Sequence, residues 1–262
     1  MSKHFYIVST LTAEQLTTML RMQDELNSHL NTNWKAQGWM FNVAFADECM
    51  EFLGHLGWKW WKDTKSYMQG VNDSNLRQLQ LELVDMFHFF LSSELVYQDC
   101  ENIDSKERAA ELAQLFADMR DQATVEYTNV VHTFSMDPIS CVLALVSDVV
   151  NLRNTEGRGS INGEALYALL CLTGFNATDL YETYVGKYAL NKFRWANGYA
   201  EGTYMKNWMI PEVSAMYQED NWYLEMILKD FKDNQIEVTE QKVYGALSNY
   251  YERVTGKTGM LH

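Results

Sequence analysis

Only two prolines, Pro138 and Pro211, occur in the 262 residues of this chain. Proline interrupts a helix because it lacks a backbone N–H and clashes with the preceding turn. Long stretches of this sequence therefore contain nothing that stops a helix. Apolar residues make up 47% of the chain, which is enough to bury one substantial core. These features predict a single all-α domain over residues 1–262, folded as a helical bundle. A division near Asn102 or Asn154 into a rigid core and a mobile cap is the alternative.

Apolar residues recur at helical spacing along most of the chain, and we expect about nine helices. The first is predicted to begin at Thr12, which can form a capping box with Gln15. Pro138 stands where a proline fits, at the first position of a helix. Two shorter helices end the chain, and the others are predicted at 12–30, 39–59, 74–98, 105–126, 138–152, 163–172 and 177–196. Loops are predicted at 66–75, 154–163 and 197–220.

The charge balance is strongly acidic, with 21 basic and 35 acidic residues and a formal net charge of −14. Such a surface repels a nucleic-acid backbone, so duplex DNA or RNA is not expected as a partner. No apolar run reaches the roughly 18 residues that a membrane span requires. The apolar run within the first ten residues, MSKHFYIVST, is too short for a secretory signal. The four cysteines form no C-x-x-C pair, which fits small core residues in a reduced, cytoplasmic compartment.

Two of the predicted helices carry a pair of carboxylates within an apolar stripe. Glu48 and Glu51 lie one turn apart on the first of them, and Glu82 and Asp85 on the second. Burying carboxylates costs several kcal/mol each, and their mutual repulsion adds to that cost. Neither helix offers a lysine or arginine on the same face. A ligand set of oxygens alone favours a hard cation, with Mg²⁺ first and Mn²⁺ as the alternative.

Two other interpretations of these acids are open. A single E-x-x-E pair is more often part of a solvated face that pairs with surface lysines, but two pairs flanked by apolar residues favour a metal site. A ferritin-like di-iron bundle would require Glu-x-x-His on two helices. Only Asp85 and His88 resemble that pattern, and they do so once.

Five ordered blocks of the sequence resemble the dimeric, all-α dUTPases, a family within the all-α nucleotide pyrophosphohydrolases that include MazG-like enzymes. The blocks span residues 22–221 and read MQDELN, ADECMEFLGHLGWKWWK, ELVDMFHF, GKYALNKFRWANGYAEGTYMK and QEDN. The chain departs from the family pattern between Glu51 and Glu82, where residues 66–75 look like an enlarged loop. No chemical role follows for the QEDN block.

The resemblance implies an enzyme that hydrolyses dUTP to dUMP and pyrophosphate with Mg²⁺, acts on dUDP as well, and forms a homodimer. Glu48, Glu51, Glu82 and Asp85 would hold the Mg²⁺. Glu48 would also orient and deprotonate the attacking water. The alternatives are a broader dNTP pyrophosphohydrolase that also accepts dCTP, and a non-enzymatic helical interaction protein on the same fold.

The resemblance also implies which residues bind the deoxyuridine nucleotide. Gln23 and Asn27 would read the edge of uracil, since a carboxamide offers both donors and an acceptor; an ordinary polar helix face is the alternative. Further residues are expected near the base, sugar and phosphates, namely Lys59, Trp61, Lys62, His88 and Phe89. A phosphate clamp is expected from Lys187, Asn191, Arg194, Tyr199 and Lys206. The alternatives are a core position for the tryptophans and for His88, and a basic solvated face for the clamp.

Overall fold

The structure is a computed structural model that describes residues 10–65, 70–73, 75–101, 103–125, 138–152 and 163–255. Within these ranges the chain forms nine α-helices, one short 3₁₀ helix and one two-stranded ladder. The predicted all-α fold class is therefore confirmed. The N-terminal residues 1–9, residues 66–69 and 74 of one predicted loop, and residues 154–162 of another lie outside the described ranges.

The helices are numbered in chain order. Their bounds are α1 Ala13–Leu30, α2 Phe41–His55, α3 Leu76–Glu101, α4 Ser105–Val125, α5 Pro138–Leu152, α6 Gly163–Leu172, α7 Ala177–Ala196, α8 Asp220–Asp233 and α9 Glu240–Thr255. The 3₁₀ helix Trp34–Gln37 lies between α1 and α2. Strand β1, Asn207–Trp208, pairs antiparallel with β2, Gln218–Glu219.

Local sequence signals account for several helix ends. Thr12 Oγ1 accepts a hydrogen bond from the Gln15 N–H at 3.2 Å, and Gln15 Oε1 accepts one from the Thr12 N–H at 3.0 Å, so the predicted capping box is confirmed. Helix α5 begins at Pro138, as predicted. Helix α2 ends at His55, and its predicted extension to residue 59 is wrong. The reason is Gly57, whose φ of +72° lies in the left-handed region that ends helices.

The chain divides into two compact units, Met1–Tyr181 and Glu182–His262. In the first unit, α2 packs along α3, α1 packs against α3 and α4, and α5 contacts α2 and α6. Fully buried side chains at the centre of this unit include Leu16, Phe45, Phe52, Leu83 and Phe87. A single domain over the whole chain stays a prediction.

The second unit has a core rich in aromatic side chains. The Trp208 ring lies 4.9 Å from the Tyr223 ring and 5.3 Å from the Tyr251 ring, and Phe193 meets Tyr251 edge to face at 5.4 Å. The predicted loop 197–220 is wrong at residues 207–208 and 218–219, where the β1–β2 ladder forms. This short ladder closes residues 209–217 into a smaller loop beside α8.

Glycine allows α7 and α8 to approach closely within the second unit. A Cβ atom at Gly186 would lie 3.1 Å from Leu224 Cδ1 and 3.2 Å from Leu228 Cδ1, which is tighter than ordinary packing. The close approach brings the first turn of α8, which contains Asp220, to the side chains of α7.

Three cysteines of the first unit are free thiols in or near its core. Cys49 and Cys141 are buried and Cys171 is half-buried, and none of the three is in a disulfide. Burial, and then the Glu48 charge, raise the pKa of Cys49 to about 12, so this thiol stays neutral and unreactive. The expectation that Cys49 and Cys141 are small core residues is confirmed.

Candidate active site

Helices α2 and α3 bring three carboxylates together. One ligand oxygen each from Glu48, Glu51 and Glu82 lies within 4.8 Å of the other two. The apolar stripe of α2 fixes this arrangement, because Phe45 and Phe52 are fully buried on either side of Glu48. The spacing within each helix was visible in the sequence, and the packing of α2 on α3 joins the pairs.

The three carboxylates differ in burial and repel one another. Glu82 is buried, Glu48 half-buried and Glu51 exposed. Although Glu51 is the most exposed of the three, partial desolvation of its carboxyl, and then the charges of Glu82, Asp47 and Asp85, raise its pKa. A carboxylate whose ionisation is disfavoured by like charges gains most from a cation, so the residues present fit a divalent ion.

Asp85 is not one of the three carboxylates whose ligand oxygens lie within 4.8 Å of one another. It is half-buried on α3, one turn after Glu82, and its charge reaches Glu51. Its place as the fourth ligand stays a prediction.

His55, at the end of α2, is a site residue that was not predicted from the sequence. Its Nε2 atom lies 3.1 Å from Glu82 Oε1, at hydrogen-bond distance. The hydrogen bond to Glu82 raises the pKa of His55, burial opposes this, and the charges of Glu82 and Glu51 raise it further. The signal was its position four residues after Glu51, which puts both side chains on one side of α2.

An aromatic and basic cluster follows α2. The Trp61 ring meets the Trp58 ring edge to face at 5.2 Å and the Trp60 ring at 5.8 Å. Lys59 Nζ lies 5.5 Å from the Trp58 ring, and Lys62 is exposed. Trp61 is 55% exposed, so this ring is not a core residue and offers an aromatic face to a ligand.

The residues predicted to read the base lie on α1 and α3 and are buried. Gln23 Nε2 donates to Asn27 Oδ1 at 3.2 Å, and His88 Nδ1 lies 2.7 Å from Gln23 Oε1. Phe89 is half-buried next to His88 on α3. The structure thus brings Gln23, Asn27 and His88 into one polar network within the first unit.

The predicted phosphate clamp lies in the second unit, where its arginine is held by an ion pair. Arg194 donates from Nε and Nη2 to the two oxygens of Asp220, both at 2.8 Å. Asp220 is fully buried and also accepts from the Tyr204 hydroxyl at 2.9 Å. Arg194 Nη1 donates to Asn191 Oδ1 at 3.2 Å. The guanidinium therefore has a fixed position on α7.

Residues of the QEDN block also bind two other residues of the predicted clamp. Lys187 Nζ donates to Asn221 Oδ1 at 3.3 Å, and Lys206 Nζ forms an ion pair with Glu219 at 3.3 Å. Tyr199 is exposed, and the Arg194 guanidinium lies 6.0 Å from its ring. The QEDN block, for which the sequence suggested no role, thus supplies a partner to each basic residue of the predicted clamp.

A family model described as dUTPase matches residues 15–199, which is 185 of 262 residues. The chain belongs to that family, the all-α dimeric dUTPases, and is a dUTP diphosphatase, a hydrolase that acts on dUTP.

Members of this family generally depend on a metal and are typically oligomeric. No curated protein matches the chain. None of the helices that the structure describes is both long and apolar enough to cross a membrane.

Proposed function

We propose that the protein hydrolyses dUTP, and dUDP as well, in a reaction that depends on Mg²⁺ held by Glu48, Glu51, Glu82 and Asp85. The observation that carries this proposal is the group of three carboxylates within 4.8 Å of one another in a chain of the dUTPase family. Oxygen ligands alone favour a hard cation, which supports Mg²⁺ with Mn²⁺ as its substitute. When bound to these carboxylates, the ion would neutralise negative charge on the phosphate groups.

Glu48 is the proposed base for the attacking water. As a half-buried carboxylate beside Glu51 and Glu82, it can accept the water proton while the oxygen attacks the β-phosphorus. The bond between the β-phosphorus and the bridging oxygen breaks, and that oxygen leaves with dUMP. The other product is pyrophosphate from dUTP and phosphate from dUDP. His55, at hydrogen-bond distance from Glu82, would hold that carboxylate in position.

The remaining roles are proposed for the nucleotide itself. Gln23 and Asn27 would read uracil, with His88 and Phe89 beside the base or sugar. Trp61 would line the nucleoside pocket, supported by its exposed ring. Phosphate oxygens would be bound by Lys59, Lys62, Lys187, Asn191, Arg194, Tyr199 and Lys206. The fixed position of the Arg194 guanidinium supports this proposal, since a cation that the protein already holds in place suits a phosphate group.

The test is release of pyrophosphate or phosphate from dUTP, dUDP, dCTP, dTTP and UTP, each with Mg²⁺ and with EDTA. We expect turnover confined to dUTP and dUDP, dependent on Mg²⁺ and lost in Glu48→Gln. Asp47→Asn is the matched control, because it removes a charge of the same sign from the neighbouring position on α2. Turnover spread over several dNTPs would instead establish the broader pyrophosphohydrolase. Equal rates with Mg²⁺ and EDTA would refute the metal site.

We also propose that the enzyme is a cytoplasmic homodimer. Exposed apolar side chains near the start of α2, among them Trp39, Met40 and Val43, support an interface with a second copy. The described thiols support a reducing compartment. Light scattering coupled to gel filtration tests the dimer, and a monomeric mass at micromolar concentration would refute it.

A further inference from the structure

Four buried polar side chains form a chain of hydrogen bonds between α1 and α3. Ser92 Oγ donates to the His88 backbone carbonyl at 2.9 Å, and Asn27 Nδ2 donates to Ser92 Oγ at 3.0 Å. Gln23 Nε2 donates to Asn27 Oδ1 at 3.2 Å, and Gln23 Oε1 lies 2.7 Å from His88 Nδ1. Ser92 is fully buried, and the other three side chains are each at least nine-tenths buried. This series of hydrogen bonds begins at the backbone carbonyl of His88 and ends at its ring.

The direction of the first two bonds follows from chemistry. A backbone carbonyl can only accept, so the single hydroxyl proton of Ser92 goes to His88. Towards Asn27 the Ser92 oxygen can then only accept, which requires Asn27 to present its NH₂ group. The Asn27 carboxamide is therefore fixed in one of its two orientations, with Oδ1 towards Gln23.

The orientation of Asn27 in turn fixes the orientation of Gln23 and the tautomer of His88. Because Asn27 presents Oδ1, Gln23 must present its NH₂ group, and its own Oε1 then faces His88. An acceptor at that place requires a hydrogen on His88 Nδ1. In the neutral ring, Nε2 is then the acceptor nitrogen. One hydroxyl thus sets two amide orientations and one tautomer.

We infer that Ser92 is a positioning residue for base selectivity, which it controls by fixing the orientations of Gln23 and Asn27 and the tautomer of His88. This inference rests on the proposed reading of uracil by these two carboxamides. Uracil offers an acceptor at O4 and a donor at N3, and cytosine offers the reverse pattern. A carboxamide that can turn over serves either base, whereas a locked one serves a single pattern.

The first test compares kcat/KM for dUTP and dCTP in the full-length protein with Mg²⁺. In Ser92→Ala, the ratio of the two values is expected to fall about 10-fold or more, because the amides lose their fixed orientation. Ser92→Thr restores a hydroxyl and is expected to restore the ratio. Ser92→Cys keeps the size of the side chain but is a weaker donor, so an intermediate ratio is expected. This variant takes the place of Ser92→Ala if the alanine variant does not fold.

Ser93 provides a matched control. Its hydroxyl also donates to a carbonyl four residues earlier on α3, that of Phe89, at 3.1 Å, but it has no place in the chain of bonds described above. Ser93→Ala is therefore expected to leave the dUTP to dCTP ratio unchanged. A loss of selectivity through general loosening of α3 would affect both serine variants.

The second readout is the tautomer of His88, measured by NMR of protein labelled with ¹⁵N-histidine. The chain contains six histidines, and the signal that disappears in His88→Asn identifies the ring. Wild type and Ser93→Ala are expected to show one tautomer with the hydrogen on Nδ1. Ser92→Ala is expected to show a mixture, and Ser92→Thr a single tautomer again.

The outcomes separate this inference from the proposed function. If wild type prefers dUTP but Ser92→Ala keeps both the preference and the single tautomer, the inference is overturned and the proposed function stands. If wild type hydrolyses dCTP as fast as dUTP, the proposed base reading fails before any variant is compared, and the selectivity role of Ser92 falls with it. A changed ratio with a mixed tautomer, reversed by threonine, supports the inference.

Discussion

The acidic site of α2 and α3 and the basic residues of the second unit differ in how their charges are balanced. At the acidic site, Glu48, Glu51 and Glu82 gather within 4.8 Å, and neighbouring carboxylates raise the pKa of Glu51. In the second unit, Arg194 is paired with the buried Asp220, and Lys206 is paired with Glu219. One region concentrates charge of a single sign, and the other matches opposite charges within the chain.

This difference shows what each region requires from outside. Repulsion among carboxylates destabilises the acidic site until a cation arrives, so binding and stability are coupled there. The basic residues are positioned by the protein itself, because the bidentate pair holds the Arg194 guanidinium in one orientation. Removing a charge should therefore have opposite effects on stability in the two regions.

The largest expected effect is on catalysis at the acidic site. Glu82→Gln removes the buried carboxylate on α3, and kcat/KM for dUTP is expected to fall by at least about 10³-fold, since both the metal and the base depend on this group. Asp47→Asn should change kcat/KM less than about threefold. Steady-state kinetics at saturating Mg²⁺ decide this, and a Glu82→Gln enzyme with wild-type activity would break the assignment of the site.

The next largest effect is on stability in the second unit. Asp220→Ala leaves Arg194, whose side chain is only 13% exposed, without its counter-charge, and we expect a loss of about 3–5 kcal/mol in the free energy of unfolding. Urea unfolding followed by tryptophan fluorescence measures it. Glu212→Ala breaks the exposed pair with Arg253 and should cost no more than about 1 kcal/mol. Equal losses in the two variants would remove the contrast between matched and unmatched charges.

A smaller effect is expected where a basic residue is exposed. The Lys206–Glu219 pair lies at the surface, so Lys206→Ala should change the free energy of unfolding by less than about 1 kcal/mol. If Lys206 binds phosphate, KM for dUTP should still rise about 10-fold, because about 1.4 kcal/mol of binding is lost. Lys242→Ala removes a similarly exposed lysine, paired with Glu237 at 3.5 Å, and should alter neither quantity. A KM that is the same in both variants would make Lys206 purely structural.

The smallest expected effect is on protein stability at the acidic site, and its sign changes when metal is bound. Burial and like charges raise the pKa of Glu51, so its ionised form destabilises the metal-free fold at neutral pH. Glu51→Gln should therefore stabilise the protein in EDTA by up to about 1 kcal/mol, a rise of about 2–4 °C in Tm. In saturating Mg²⁺ the wild type should be the more stable of the two. The same order of Tm values in both buffers would contradict the coupling of metal to this site.

Short-range patterns predicted much of the fold and the two acidic pairs, but not the ion pairs of the second unit. The scarcity of proline, the capping box at Thr12 and the spacing within each acidic pair all act over a turn or two of helix, and sequence shows them directly. The end of α2 was predicted at residue 59, which is wrong although a local signal exists, because the left-handed φ of Gly57 ends the helix after His55.

Pairings across long stretches of chain were not predictable. Arg194 and Asp220 lie 26 residues apart, and Lys187 and Asn221 lie 34 apart, so nothing local links them. The α1–α3 chain of hydrogen bonds joins Asn27 to Ser92 across 65 residues. Each of these contacts depends on how the helices pack. Gly186 allows α7 and α8 to approach, but no sequence pattern shows that α8 is its neighbour.

The most direct test of the acidic site as the metal site is a Mn²⁺ titration followed by electron paramagnetic resonance of the unbound ion, with Mg²⁺ as competitor. We predict saturable binding in wild type that Mg²⁺ displaces, and loss of that binding in the Glu48→Gln/Glu82→Gln double variant. A Glu212→Gln/Glu237→Gln double variant, which removes two exposed carboxylates instead, should bind as wild type does. Equal Mn²⁺ binding by all three proteins would show that the α2–α3 carboxylates do not hold the metal.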